Sequence, residues 1–344
     1  MKNKYYDQIF LTNLPAFYKL NLFNEIAKHK KILVLFTGDT SDIRTIDFFK
    51  GKYNFDSLNF KSEDFNILSR IRLIIKIRRK YSYKELVLGG WDSIYLWFMC
   101  FISPKHFNSL MVESSYLESN SYGVKGLAKR FFLKKIKKVY ASGTSQQKLV
   151  RKLGYNGEVI ITKGVGVFNI VEQPKYESKT IVKNFIYVGR LSKEKNLLNL
   201  VYLFNKKKEL TLNIIGYGPM DQELRSFAKE NINFLGSVNN KELPDIYRKN
   251  DVFILPSSSE PWGLVVEEAF NNGLPVIVSN KVGCAEEIVD DMKNGLIFQL
   301  EDENSLELAI DKICNTDLYN QMRKNISKYN FNDIKQMQVN CYLQ

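Results

Sequence analysis

The chain is poor in the residues that build metal and redox sites. Its 344 residues include four cysteines and two histidines. Cys100, Cys284, Cys314 and Cys341 are scattered with no Cys-x-x-Cys pair, and His29 and His106 lie far apart. This argues against a disulfide framework and a structural zinc site, and the cysteines read as small buried apolar residues in a reducing compartment. Long apolar runs are also missing. The most apolar stretch, "IYLWFMCFI" from Ile94 to Ile102, has nine residues, whereas a helix needs roughly 20 to span a bilayer. The opening "MKNKYYDQIFLTNLPAF" is broken by Asp7, Gln8 and Asn13, so it lacks the apolar region of a secretory signal. No low-complexity segment or short repeat occurs.

What is present is a globular composition, 44% hydrophobic and 25% charged, at a length that suggests two domains. Acidic residues are scarce in one half only. Residues 1–170 hold 29 Lys and Arg against 13 Asp and Glu, while residues 171–344 hold 21 against 24. The whole excess of +13 therefore belongs to the first half. A one-sided bias points to a partner of opposite sign for one domain.

Short apolar segments alternate with helical patterns along both halves. In the first, "DQIFLTN", "KILVLFT", "KELVLGG", "NSLMVE", "KVYAS" and "EVIIT" read as strands, with "AFYKLNLFNEIAKH" as a helix. In the second, "NFIYVGR", "TLNIIG", "INFLG", "DVFILPS", "LPVIVS" and "GLIFQ" read as strands, with helices such as "PMDQELRSFAKEN" between them. Buried strands alternating with helices predict α/β domains with parallel, doubly wound sheets. Periodicity is lost around residues 165–180, where Pro174 and polar residues gather. The expected division is 1–170 and 171–344, with the last helix crossing back to the first domain.

Ligands of such sheets bind outside the carboxyl ends of the strands. In "YVGRLSKEKNLLNL" a strand ends at Gly189, followed by Arg190 and Lys195 beside a helix start. Two cations in that setting suit an anion, the guanidinium gripping two oxygens and the ammonium adding a point charge. In "IIGYGPMDQELR", Gly216 and Gly218 form a turn in which backbone could approach a ligand. "SSSEPWGLVVEEAFNNGLPVIVS" places Glu260 in a loop and starts a helix at Trp262-Gly263. The amides of Gly263, Leu264 and Val265 would point toward the same cleft. Leu264, Glu268 and Asn271 share a helix face and Glu267 lies on another, so one of the two acids can face the cleft while the other faces solvent. A carboxylate accepts but cannot donate when ionised, which suits binding to sugar hydroxyls.

These motifs together resemble the retaining glycosyltransferases of family 4, the glycosyl transferases group 1 family. The resemblance rests on Glu260-x7-Glu268 within "EPWGLVVEE", and on "VGRLSKEKN", "IIGYGP", "FLGSV" and "VGCAEEIVDDMKNGLIF" in the family's order over about 110 residues. It implies the GT-B fold, two Rossmann-like doubly wound domains facing across a cleft. Arg190 and Lys195 would hold the donor diphosphate and stabilise charge on the leaving nucleotide. Glu260 would bind the donor sugar. The amides of Gly263 and Leu264 would meet phosphate or sugar oxygens, and Glu268 would bind the ribose. Gly189, the Gly216–Pro219 turn with Gly218, and the backbone around Ser237 would line the rest of the donor pocket. Glu287 also matches a family position. No metal or other cofactor is expected, because the cations supply the positive charge. The first half matches more loosely. It lacks the usual glycine-rich loop after the first strand, and Gly164-Val165-Gly166 lacks the family's Asp.

The reaction implied is transfer of a hexose-type sugar from a nucleotide donor, a UDP-sugar first among them, with retention at the anomeric carbon. The acceptor would be a glycan or lipid-linked glycan in capsule or O-antigen biosynthesis. Glu113, and next to it Asp92, are the candidates for contacting the acceptor. Two basic segments, Arg70–Lys80 and Lys125–Lys138, mix cations with Ile, Leu and Phe. They suit the surface of an anionic membrane and a peripheral place on the inner face of the cytoplasmic membrane. A nucleotide-sugar epimerase or hydrolase on the same fold is the alternative. A basic nucleic-acid-binding protein is the other, and it leaves Glu260 and Glu268 without a role.

Overall fold

The computed structural model describes residues 4–38, 51–59, 67–116, 119 and 121–344. The chain divides into two compact units, Met1–Phe168 together with Ile334–Gln344, and Asn169–Asp333. The first is built on β1 (Lys4–Thr12), β2 (Ile32–Phe36), β3 (Asp56–Asn59), β4 (Tyr81–Leu88), β5 (Asn108–Val112), β6 (Lys138–Ala141) and β7 (Glu158–Ile161). These form one sheet in the order β3-β2-β1-β4-β5-β6-β7, with every pair parallel. The second unit holds β8 (Asn184–Val188), β9 (Thr211–Ile215), β10 (Ile232–Gly236), β11 (Val252–Leu255), β12 (Val276–Ser279) and β13 (Gly295–Phe298). Its sheet runs β10-β9-β8-β11-β12-β13, again wholly parallel. Both are Rossmann-like α/β folds.

The composition of the strands explains the class. Ile32–Phe36, Val252–Leu255 and Val276–Ser279 are buried at every position, as strands covered on both faces must be, and so they read as continuous apolar runs rather than alternating ones. All twelve expected strands are present. The thirteenth, β3, was not anticipated. It reads Asp-Ser-Leu-Asn, with both ends exposed, on the sheet edge beside β2.

In each sheet the strand order reverses once, between β1 and β4 and between β8 and β11. Successive crossovers leave in opposite directions there, opening a crevice at the carboxyl ends of the strands. In the second unit the loops beyond those ends lie against one another. The amide of Gly189 donates to the Ile215 carbonyl, that of Leu191 to Tyr217, and that of Gly216 to Gly236, at 2.8–3.0 Å. Gly216 has φ +138°, and a Cβ there would stand 1.8 Å from the Gly189 carbonyl oxygen. No other residue fits this approach of one loop to the next.

The helix Phe331–Leu343 supplies, from Ile334 onward, part of the core of the first unit. Tyr342 is buried, its ring stacked on Tyr140 at 4.5 Å. Its carbonyl accepts from the Gln8 amide at 2.9 Å and from Lys30 at 2.7 Å. The basic segments form the helices Ile67–Lys80 and Gly123–Leu133. Each buries a narrow face, Ile74 and Ile77 in one, Phe132 and Leu133 in the other. No helix among the described residues is long and apolar enough to cross a membrane.

Candidate active site

The reversal point of the second sheet collects the charged residues singled out in the sequence. β8 ends at Val188, and the chain passes through Gly189 and Arg190 into a single 3-10 turn, Lys193–Lys195. Asn196 then adopts a left-handed conformation, φ 54°, before the helix Leu197–Lys206. Lys195 thus lies at the end of a turn rather than inside the helix. β11 ends at Leu255, and its loop carries Ser257, Ser258 and Glu260 to the helix Leu264–Asn271. Hydrogen bonds tie the two loops together. The Ser258 amide donates to the Glu194 carbonyl at 2.8 Å, and its hydroxyl to the same oxygen at 3.2 Å.

Within this frame Lys195 Nζ meets Glu260 Oε2 at 2.5 Å, both side chains largely buried at 14% and 16% exposed. A partly dry ion pair is stronger than a surface one, but losing one partner strands the other. An ammonium has three donors, so the bond to Glu260 does not exhaust it. Arg190 meets Glu194 Oε1 at 2.6 Å, and the Ser192 hydroxyl donates to the same oxygen at 2.6 Å. Burial works against the Glu194 charge, but the hydrogen bonds from Ser192 and Arg190 outweigh it and hold the carboxyl down at about 2. Glu194 is therefore an anion at any working pH. The sequence contained it between the two expected cations without signalling that it would engage one of them. The result is two cations and two carboxylates at one sheet end, an arrangement able to hold both an anion and a polyhydroxylated group.

The helix Leu264–Asn271 differs from expectation in two respects, its start and the setting of Glu267. Gly263 precedes it in a left-handed conformation, φ 98°. Glu268 is half-buried, with the Tyr247 hydroxyl donating at 3.4 Å. Burial pushes its carboxyl up to about 7, the Tyr247 hydrogen bond opposing this only in part. Glu267 does not face solvent. It is 4% exposed and accepts a hydrogen bond from the Trp262 indole Nε1 at 2.9 Å, with Trp262 itself 2% exposed. The face argument failed because Trp262, just upstream of the helix, folds back beside it and covers the side assigned to solvent.

Gly216 and Gly218 stand in the loop after β9, and Ser237 is exposed just beyond β10. These positions lie along the same sheet end as Gly189. Glu287 belongs to the short helix Ala285–Ile288. In the first unit, Glu113 follows β5 and pairs with Lys19 Nζ at 2.9 Å. Lys19 is buried, and burial alone would lower its pKa, but the Glu113 charge overrides it and raises it. The sequence pattern did not single out Lys19, which reads there as one polar position in a helix. Asp92 is exposed and accepts from the Asn13 amide at 2.9 Å. The cap of the next helix is Ser93, whose hydroxyl accepts from the Tyr95 amide.

Comparison with known proteins follows this division. Residues 168–333 match the family model described as Glycosyl transferases group 1. The chain is 28% identical over 311 residues to an uncharacterized 41.2 kDa protein in the cps region of Klebsiella pneumoniae, covering 85% of this chain and 79% of that one. It is 33% identical over 175 residues to the O-antigen biosynthesis glycosyltransferase WbnH of Escherichia coli, covering 50% of this chain and 48% of that protein. Among solved structures it superposes on Anabaena HepE in complex with UDP and glucose, with TM-score 0.71, 16% identity and coverage of 96% and 97%. The two parallel-sheet Rossmann-like units are those of the GT-B glycosyltransferases among its structural neighbours, and together the matches support a transferase enzyme.

Proposed function

We propose that this chain, with a GT-B fold and a group 1 glycosyl transferase match over its second unit, transfers a hexose-type sugar from a nucleoside diphosphate donor to a glycan or lipid-linked glycan. The observation that carries the reading is the convergence of Arg190, Lys195 and Glu260 at the reversal point of the second sheet. Lys195 and Arg190 would face the diphosphate and stabilise the charge that grows on the leaving nucleotide, so the reading needs no metal. Glu260 would accept from sugar hydroxyls. Glu268, beside Tyr247, would accept from the ribose. Gly189, Gly216, Gly218, Ser237 and the Gly263 and Leu264 amides would complete the donor site. The HepE complex, described with UDP and glucose, supports testing UDP-sugars first. The relatives described by O-antigen biosynthesis and a cps region support a surface polysaccharide as the product. Transfer would proceed with retention at the anomeric carbon. At the other substrate, Glu113 would meet the acceptor, held in place by Lys19.

A thermal-shift screen with UDP-, GDP-, ADP- and dTDP-sugars tests the donor. A ligand at a hundred times its Kd stabilises the folded state by about 2.7 kcal/mol, so one nucleotide class is expected to raise Tm clearly above the others. No shift with any class at millimolar concentration would remove the reading. The anomeric configuration of the product, read by NMR against that of the donor, then decides retention.

The first unit would rest on an anionic membrane surface at the inner face of the cytoplasmic membrane. Residues 119–157 contain ten Lys and Arg and no Asp or Glu. On the helix Gly123–Leu133, Val124, Leu127 and Phe131 are 83%, 64% and 55% exposed among those cations. Apolar side chains ringed by positive charge suit an interface between lipid headgroups and acyl chains. The protein is expected to float with anionic vesicles and not with neutral ones, and to be released by salt. Equal flotation with both would exclude an electrostatic surface.

A further inference from the structure

Glu267 is a buried acid that the donor site described above does not use. Burying a carboxylate is costly unless hydrogen bonds compensate. An apolar residue would fill that helix position more simply. Trp262 also brings a donor into the interior, since an indole N–H must find a partner when buried. Each residue supplies what the other requires, at 2.9 Å. The pair spans the segment that carries Glu260 into the helix.

That segment is fastened on its other side chiefly by backbone, with the Cys284 thiol also reaching the Gly263 carbonyl at 3.7 Å. The Glu260 carbonyl accepts from the Gly283 amide and the Trp262 carbonyl from the Cys284 amide, both at 2.8 Å, while the Glu260 amide donates to Lys281 at 3.3 Å. A Cβ on Gly283 would stand 1.9 Å from the Pro261 carbonyl oxygen, so the two strips of backbone are in close approach. These bonds fix the main chain of residues 260–262 at its outer edge. The bond from the Trp262 indole to Glu267 adds a side-chain tie from this strip to the helix that follows left-handed Gly263.

We propose that Glu267 and Trp262 are positioning residues, whose buried hydrogen bond sets the loop that presents Glu260 to Lys195 and Gly263 to the donor. The proposal rests on the donor-site reading. Placement errors of about 1 Å at a site can cost about 100-fold in rate, so such a bond bears on catalysis without touching substrate.

Three variants separate positioning from packing. Glu267→Gln keeps an oxygen that accepts from the indole and is expected to retain near-native kcat/KM. Trp262→Phe removes the indole donor from buried Glu267 and is expected to lose both Tm and activity. The double variant Trp262→Phe/Glu267→Leu removes the indole donor and its carboxylate acceptor together. Its Tm is expected to return toward that of the native protein, while kcat/KM for the donor stays reduced by about tenfold or more. Recovery of Tm and kcat/KM together would overturn the proposal and make the pair core packing. If the double variant does not fold, Glu267→Gln is compared with Glu267→Met, and equal kcat/KM in these two overturns it. A native protein inert toward every nucleotide sugar would overturn the donor reading and this proposal with it. An active native protein matched by the double variant overturns only this one.

Discussion

Replacing Lys195 with methionine is expected to lower turnover by about 10²–10³-fold, the usual loss when one preorganised charge-stabilising donor is removed. Lys195 is the largely buried cation at the reversal point, and the Glu260 carboxylate orients it. If its work is to meet charge that appears as the nucleotide leaves, kcat falls further than donor KM rises, because the interaction strengthens only in the transition state. The substitution also leaves Glu260 without its counterion, and some lost activity would reflect that stranding. Lys195→Met is therefore best read beside Lys195→Met/Glu260→Gln, which removes the stranded charge and is expected to regain stability but not turnover. Lys195→Arg is expected to recover little, since a planar fork does not replace a compact charge at this distance from Glu260. Turnover of the native protein is expected to persist in EDTA. A kcat for Lys195→Met within tenfold of native would remove this residue from the chemistry.

Glu268→Gln is expected to make the protein more stable at pH 8 and poorer at holding its donor. The carboxyl has an ordinary value near 4.5 and is pushed by burial up to about 7 in the folded chain. Between those values the folded protein keeps a proton that the unfolded chain has released. Stability contributed by this group is thus present below about pH 4.5, declines as pH rises toward about 7, and is flat beyond. A neutral glutamine avoids that decline, so the Tm gain should be seen at pH 8 and vanish at pH 4. Donor binding runs the other way. Only the ionised acid is a pure acceptor for ribose hydroxyls, and a charged hydrogen bond is worth about 1.5–3 kcal/mol. Donor affinity is expected to strengthen from pH 6 to pH 8 in the native protein and to be about tenfold weaker and flatter in the variant. A Tm difference unchanged across pH would show that Glu268 titrates normally.

The sequence revealed the sheets because buried parallel strands advertise themselves as short apolar runs, and twelve such runs became strands. β3 escaped because its exposed edge position lets Asp56 and Asn59 occupy it. The motif loops were legible for a similar reason, since Gly189, Gly216 and Gly263 mark places where backbone must turn or touch. Side-chain partners were not legible. Lys19 and Glu113 are 94 positions apart and meet only through the sheet. Glu267 was misjudged because helical periodicity ranks faces without saying what covers them, and Trp262 covers this one. Glu194 was visible as a residue, but which of its neighbours it would engage depended on the turn at Lys193–Lys195.

The closing helix has a consequence for how the chain is made. A ribosome delivers residues 169–333 before it delivers Ile334–Gln344, so the second unit has its whole sequence while the first still lacks its last piece. During that interval Tyr140 has no Tyr342 ring to stack on, and Gln8 and Lys30 have no Tyr342 carbonyl to donate to. The unit whose synthesis begins first thus waits for a segment made after the whole of the second unit, and its interior gains Tyr342 only then.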